Sequence, residues 1–198
     1  MNIPRAVLEL HRFASTDTIK PKPNIHRVHC ERDATDKNTY IAVATDGHRL
    51  GMVRWQVSAG DDKLPETFAL DASACKTILK GATKGSFYTV TDIADGKATL
   101  HGFTSGAESS CKSSTCIDDI FPPWRKTTPP QNAVGAIGVG TIGLNAEYFA
   151  DVTIFLKKCG VTQFAVRFDL PSDALSPVRI EYAGDEWTFI YVLMPTRL

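Results

Sequence analysis

The sequence predicts an α+β fold in which helices pack on antiparallel sheets, organised as three strand-helix-strands units. Three observations predict it. Strand-like runs recur around three helical stretches, with short turns at Asp46-Gly47, Asp95-Gly96 and Ala183-Gly184-Asp185. Turns of this composition reverse the chain within a few residues, so the strands they join run antiparallel. Finally, Phe164, Val166, Phe168 and Leu170 alternate with Ala165, Arg167 and Asp169, the pattern of a strand with one wet face.

The totals bound the answer further. A chain of 198 residues makes one large domain or two small ones with enough interior to fold unaided. Lys plus Arg equals Asp plus Glu at 22 each, so a nucleic-acid role must come from local clustering of base and not from net charge. Five cysteines, irregularly spaced, point to free thiols in a reducing compartment and to no structural disulfide. There is no leader-like segment and no apolar run of membrane-spanning length. A cytoplasmic protein is expected, without a membrane.

In chain order, Ile3, Val7, Leu10 and Ala14 share one helical face, with Pro4 in the first turn where its missing N–H costs nothing. A helix over 3–14 is expected. Strands follow at Ile25–Glu31, Thr39–Ala44 and Leu50–Trp55, the last two folded about Asp46-Gly47. The second unit reads as a strand at Thr67–Leu70, an N-cap at Asp71, a helix over Ala72–Ala82 and strands at Phe87–Ile93 and Lys97–His101. Gly106–Thr115, rich in Ser, reads as a loop or weak edge strand. Pro129-Pro130 and the Gly- and Ala-rich 131–140 read as a linker. The third unit is a strand at Thr141–Leu144, an N-cap at Asn145, a helix over Ala146–Lys158 stopped by Gly160, and strands at Phe164–Leu170, Val178–Tyr182 and Trp187–Met194.

Ala44-Thr45-Asp46-Gly47-His48-Arg49-Leu50 contains more polar chemistry than a hairpin needs. This stretch resembles the signature hairpin of the bacterial sliding clamp, the beta subunit of DNA polymerase III. The last residues, Tyr191-Val192-Leu193-Met194-Pro195-Thr196-Arg197-Leu198, resemble that family's C-terminal tail. The resemblance implies the sliding-clamp fold, with residues 1–130 as a complete domain similar to the family's middle domain. It implies that residues 131–198 are a linker and the second half of the last domain. The family's first domain has no counterpart, so the chain is expected to cover about half of a family member.

In the family the two signature segments meet in a pocket that receives short peptides from polymerases and the clamp loader. The resemblance assigns Thr45, Gly47, His48, Arg49 and Leu50 to that pocket, with Ile25 on a neighbouring strand and Pro129 from the segment Phe121-Pro122-Pro123-Trp124-Arg125-Lys126-Thr127-Thr128-Pro129-Pro130. Across the seam it assigns Leu175, Pro177, Val192, Leu193, Met194, Pro195 and Arg197. Aliphatic and Met walls suit an adaptable site for a loose Gln-Leu-x-Leu-Phe type peptide. The departures are Pro123 where the family has an acid, Thr196 where a larger residue is common, and Arg27 where Gly is frequent.

The resemblance also implies contact with duplex DNA through phosphates, without base readout. Lys76 and Lys80 lie one turn apart, Lys84 follows, and 72–85 contains no acid. Arg5 and Arg12 could join them, and Lys157 and Lys158 are offset by Glu147 and Asp151. A homo-oligomer is expected, since full clamps close a ring from six such domains.

Other chemistries fit less well. Gly138-Val139-Gly140-Thr141-Ile142-Gly143 matches the dinucleotide fingerprint of an oxidoreductase, but Asn145 would start the helix two residues too late, and the next strand alternates. His26 and His29 point to opposite faces of one strand, and Cys111 and Cys116 lack a second ligand pair, which argues against a metal. Asp118-Asp119 has no matched third group. No cofactor is expected, and the chain reads as noncatalytic.

Overall fold

The computed structural model describes residues 1–17, 25–57, 65–81, 86–94, 97–104, 107–114, 121–129, 142–171, 173 and 175–196. Unit one comprises β1 (Asn2–Ile3), α1 (Arg5–Glu9), a 3-10 turn (Leu10–Phe13), β2 (Arg27–Arg32), β3 (Thr39–Thr45) and β4 (Arg49–Gln56). Unit two comprises β5 (Thr67–Asp71), α2 (Ala72–Lys80), β6 (Phe87–Ala94), β7 (Lys97–Thr104) and β8 (Ala107–Ser114). After a second 3-10 turn (Trp124–Lys126), unit three supplies α3 (Ala146–Lys158), β9 (Arg167–Asp169), β10 (Val178–Ala183) and β11 (Trp187–Leu193).

The described strands form two antiparallel sheets, ordered β1-β6-β7-β8 and β5-β2-β3-β4-β11-β10-β9. Units one and two exchange their first strands: β1 lies beside β6, and β5 lies beside β2. Their helices also pack on each other. Unit three joins through β11, which pairs with β4 from Trp187↔Trp55 to Leu193↔Arg49. One seven-stranded sheet therefore runs across the seam between units one and three.

Strand alternation divides each strand between two apolar layers. Toward the helices lie Tyr40, Ala42, Val53, Trp55, Phe189, Tyr191 and Leu193, packed with Leu8, Leu10, Phe13, Ile78 and Phe155. On the outer face lie Ile41, Val43, Leu50, Met52, Ile190 and Val192, covered by Trp124 and flanked by Phe121. The sheet is apolar on both faces at its centre, and the segment from Phe121 to Thr127 covers part of the outer layer.

Several expectations are corrected. The first helix is α-helical only from Arg5 to Glu9 and then tightens to 3-10 geometry. A 3-10 turn eclipses residues three apart, so Leu10 and Phe13 both reach the core. Asp71 precedes α2 without capping it, because its carboxylate is paired with Arg27, its cross-strand partner (3.3 Å). Residues 142–144 form no strand. The Gly143 carbonyl accepts a single bond from the Thr196 N–H (2.9 Å) instead of joining a ladder. The strand expected over Phe164–Leu170 is reduced to Arg167–Asp169. Asn145 caps α3 as expected, accepting from the Glu147 and Tyr148 N–H groups, and Gly160 follows the helix with φ 86°. The glycine fingerprint at 138–143 lies, up to Thr141, outside the described residues.

Gly51 holds the seam against unit one. A Cβ there would stand 2.3 Å from Phe13 Cδ2 and 3.0 Å from Leu10 Cδ2. Phe13 cannot withdraw, because its ring packs against Phe155, Phe189 and Tyr191 at centroid distances of 5.5–6.0 Å for the first two and 5.3 Å for the last. Gly51→Ala is expected to destabilise the protein by about 1–3 kcal/mol through overpacking. Urea unfolding would register this as a lower midpoint at unchanged slope.

Candidate functional site

The hairpin between β3 and β4 is locked by its own side chains. Gly47 takes φ 93°, a left-handed conformation that glycine adopts without a steric penalty. The Thr45 hydroxyl donates to the Arg49 carbonyl (2.7 Å) and accepts from the Gly47 N–H (3.0 Å). Asp46 Oδ1 accepts from the His48 and Arg49 N–H groups at 2.9 and 3.1 Å. The Met194 N–H donates to the His48 carbonyl (3.3 Å), which carries the seam past the end of β11 into the tail.

A cavity of about 480 Å³ opens at this end of the seam. Ile25, Leu50, Val192 and Met194 form its apolar walls, with Thr45, Gly47, His48 and Arg49 along the hairpin side. The opposite wall is Pro122, Pro123, Trp124, Lys126 and Thr127. The cavity is the part of the outer apolar layer that the Phe121–Thr127 segment leaves open.

The segment is fastened at several points. Trp124 is buried against the outer layer, and Phe121 stacks on His29 at 4.8 Å. Arg125 pairs with Glu31, which also contacts His29 Nε2 (3.1 Å). Burial opposes ionisation of Glu31, but the His29 and Arg125 contacts outweigh it and hold the carboxyl below its usual range.

The sequence-assigned pocket residues thus divide. Ile25, Thr45, Gly47, His48, Arg49, Leu50, Val192 and Met194 line the cavity. Leu193 does not, because alternation turns it into the helix-side core, where it is fully buried. Pro129 is also off the lining, and its carbonyl accepts from Arg179 (3.2 Å). Leu175 is 66% exposed and, with Pro177 and Pro195, lies outside the lining. Arg197 lies outside the described residues. Sequence reading placed the Phe121–Pro130 segment at the pocket through Pro129 and missed Pro122 to Thr127. The available signal was the alternation of Ile41, Val43, Leu50, Met52, Ile190 and Val192, which demands an apolar cover.

Arg49 ties the hairpin to unit three. Its guanidinium pairs with Asp46 (3.0 Å) and with Asp151 of α3, and lies 4.6 Å from the Tyr148 ring centroid. It also donates to the Arg12 carbonyl (3.3 Å). The Tyr191 hydroxyl donates to the Tyr148 carbonyl (2.9 Å), and burial raises its pKa, so it stays a donor.

A second concavity of about 750 Å³ lies on the helix side of the molecule. Arg5, Arg12, Lys76, Lys80 and Lys158 line it, with His11 and His26. The acids Glu9, Asp71 and Asp151 share the lining. Glu9 is 1% exposed. It accepts from Arg5 (3.1 Å) and Arg12 (2.8 Å) and so fixes both guanidinia. Lys157 is exposed but outside this lining, and Lys84 lies outside the described residues. Among the described residues no group of three or more His, Cys, Asp or Glu is placed to hold a metal ion.

No family model and no curated protein matches the chain. Solved structures do match, bacterial sliding clamps among them. A DNA polymerase sliding clamp from Pseudomonas aeruginosa, with ligand, is 18% identical with a TM-score of 0.64, over 100% of this chain and 66% of its own. The Caulobacter crescentus pol III beta is 17% identical with a TM-score of 0.67, over 100% and 65%. A sliding clamp (DNA polymerase III subunit beta) from Bartonella birtlesii bound to griselimycin is 18% identical with a TM-score of 0.69, over 98% and 63%.

The chain therefore has the sliding-clamp fold, of α+β class. It spans just under two thirds of these clamps, where the motifs led to an expectation of about half. No described helix is long and apolar enough to cross a membrane.

His11 provides a pH test of the helix-side face. Burial lowers its pKa below 6.5, and the neighbouring Arg12 and Lys76 act in the same direction against the Leu8 carbonyl and Glu9. As pH falls through 6.5 the unfolded chain takes up the proton first, so this group lowers stability until the folded pKa is reached. Urea midpoints measured from pH 7 to pH 5 should fall less steeply in His11→Gln than in the wild type.

Proposed function

We propose that this protein is a noncatalytic, clamp-like accessory factor of DNA replication whose seam cavity binds short linear peptides. The observation that carries this reading is the cavity itself: apolar walls from two units, one polar hairpin and one roofing segment, set on a sliding-clamp fold. Such a site accepts aliphatic and aromatic side chains while the hairpin groups hold a peptide backbone in register. Lys126 adds positive charge to the lining, whereas Arg49 is already paired with Asp46 and Asp151, which favours neutral or acidic peptides over basic ones. The partners would be DNA polymerase and clamp-loader subunits carrying Gln-Leu-x-Leu-Phe type segments, in the cytoplasm. The role would be tethering, with duplex DNA contacted through the basic concavity and the chain acting as a homo-oligomer.

A second reading rests on the acids in that concavity. Glu9 engages both Arg5 and Arg12, while Asp71 and Asp151, on the same lining as Lys76, Lys80 and Lys158, are paired with Arg27 and Arg49. Fewer uncompensated cations remain for phosphates than the basic residues alone would give. This favours a regulator that holds replication-protein peptides without retaining DNA.

Anisotropy of a fluorescent Gln-Leu-x-Leu-Phe peptide tests the shared claim. The wild type is expected to bind, and Met194→Glu, at an exposed wall residue, to bind at least tenfold more weakly, about 1.4 kcal/mol. No binding by folded wild type would overturn both readings. Given peptide binding, retention on circular DNA that weakens steeply with salt selects the tether, and absence of retention selects the regulator.

A further inference from the structure

Units one and two complete each other by exchanging β1 and β5 and packing α1 on α2. Among the described residues unit three meets no such partner. β9 ends the seven-stranded sheet, and no described strand lies beyond it. Ile142–Leu144 stands before α3 as β1 and β5 stand before α1 and α2, yet it joins neither sheet.

The helix of unit three has two apolar stripes where a surface helix has one. Val152, Phe155 and Leu156 face the core. Ala146, Phe149, Ala150, Thr153 and Ile154, at spacings of three and four, are all exposed, with Phe149 at 42% and Ile154 at 43%. The Phe149 ring stacks on Phe168 of β9 at 5.8 Å. Phe168 is itself 42% exposed, and Leu170 just beyond it is 52% exposed. A patch therefore runs from the second stripe of α3 to β9, the last described strand of the sheet, and contiguous exposed apolar surface of this kind marks an interaction site.

We propose that a second copy of this chain covers the patch, unit three against unit three, in the arrangement that units one and two already adopt within the chain. Ile142–Leu144 of each copy lies along β9 of the other, and the two α3 helices pack through their second stripes. Each copy offers both halves of that contact, the segment Ile142–Leu144 to give and β9 to receive it, as an isologous interface requires. Charge agrees with this choice. A two-fold axis across α3 sets the helices antiparallel, which brings exposed Glu147 in the first turn of one toward Lys157 in the last turn of the other. The opposed helix dipoles favour the same pairing. Lys157 is then an interface residue and not a DNA contact. The proposal stands on the repeat and the patch and does not depend on the peptide reading.

Light scattering on the full chain at micromolar concentration tests it. The expected mass is twice the 21.6 kDa of one chain, falling to one chain in Ile154→Asp. Circular dichroism verifies that the variant is folded. Glu147→Lys, at an exposed position that spares folding, should weaken the dimer at least tenfold, and adding Lys157→Glu should restore it. A monomeric wild type, or a dimer unchanged in both Ile154→Asp and Glu147→Lys, would overturn the proposal.

Discussion

The pairing of β4 with β11 is the contact on which the rest of this molecule depends. It is the join that makes units one and three a single sheet. It also sets both apolar layers in register, since a slip of β11 by one residue against β4 would move Ile190 and Val192 from the outer face to the helix face. Burial of each such aliphatic side chain is worth about 1.5–3 kcal/mol, so the register is fixed from both sides. The cavity exists because the seam brings Leu50 and Val192 opposite each other at its open end.

Electrostatics tighten the same join. Arg49 sits at the last β4–β11 pair with Leu193 and reaches from there to Asp46, Asp151 and the Tyr148 ring. The hairpin that lines the cavity and the helix of unit three are thus held by one guanidinium. Glu9 does the corresponding work on the helix side for Arg5 and Arg12. In each case a partly or wholly buried ion is compensated by opposite charge within hydrogen-bond range, as burial of charge requires.

Much of this was legible in the sequence, for identifiable reasons. The Asp46-Gly47 turn, the Asn145 cap, the stop at Gly160 and the period of α3 are local signals, and each element appears where its residues place it. The exchange of β1 and β5 was not legible, because strand order is a long-range property with no local signature. Asp71 looked like a cap, and only the β5–β2 register reveals that Arg27 takes its carboxylate. At the cavity, Thr45, Gly47, His48, Arg49, Leu50, Val192 and Met194 were assigned by resemblance and line it. Trp124 and its neighbours were not, since a proline-rich stretch without period gives no hint of the surface it covers. Leu193 was misplaced for a simpler reason: adjacent strand residues face opposite ways, so Val192 and Leu193 cannot both line one cavity.

Hydrogen exchange with and without an apolar Gln-Leu-x-Leu-Phe peptide measures the central claim directly, because the amides on each side of the seam report separately. The account predicts that protection rises together in the hairpin at 45–50, the roofing segment at 122–127 and the end of β11 at 192–194. Protection confined to another surface, or raised on only one side of the seam, would contradict it.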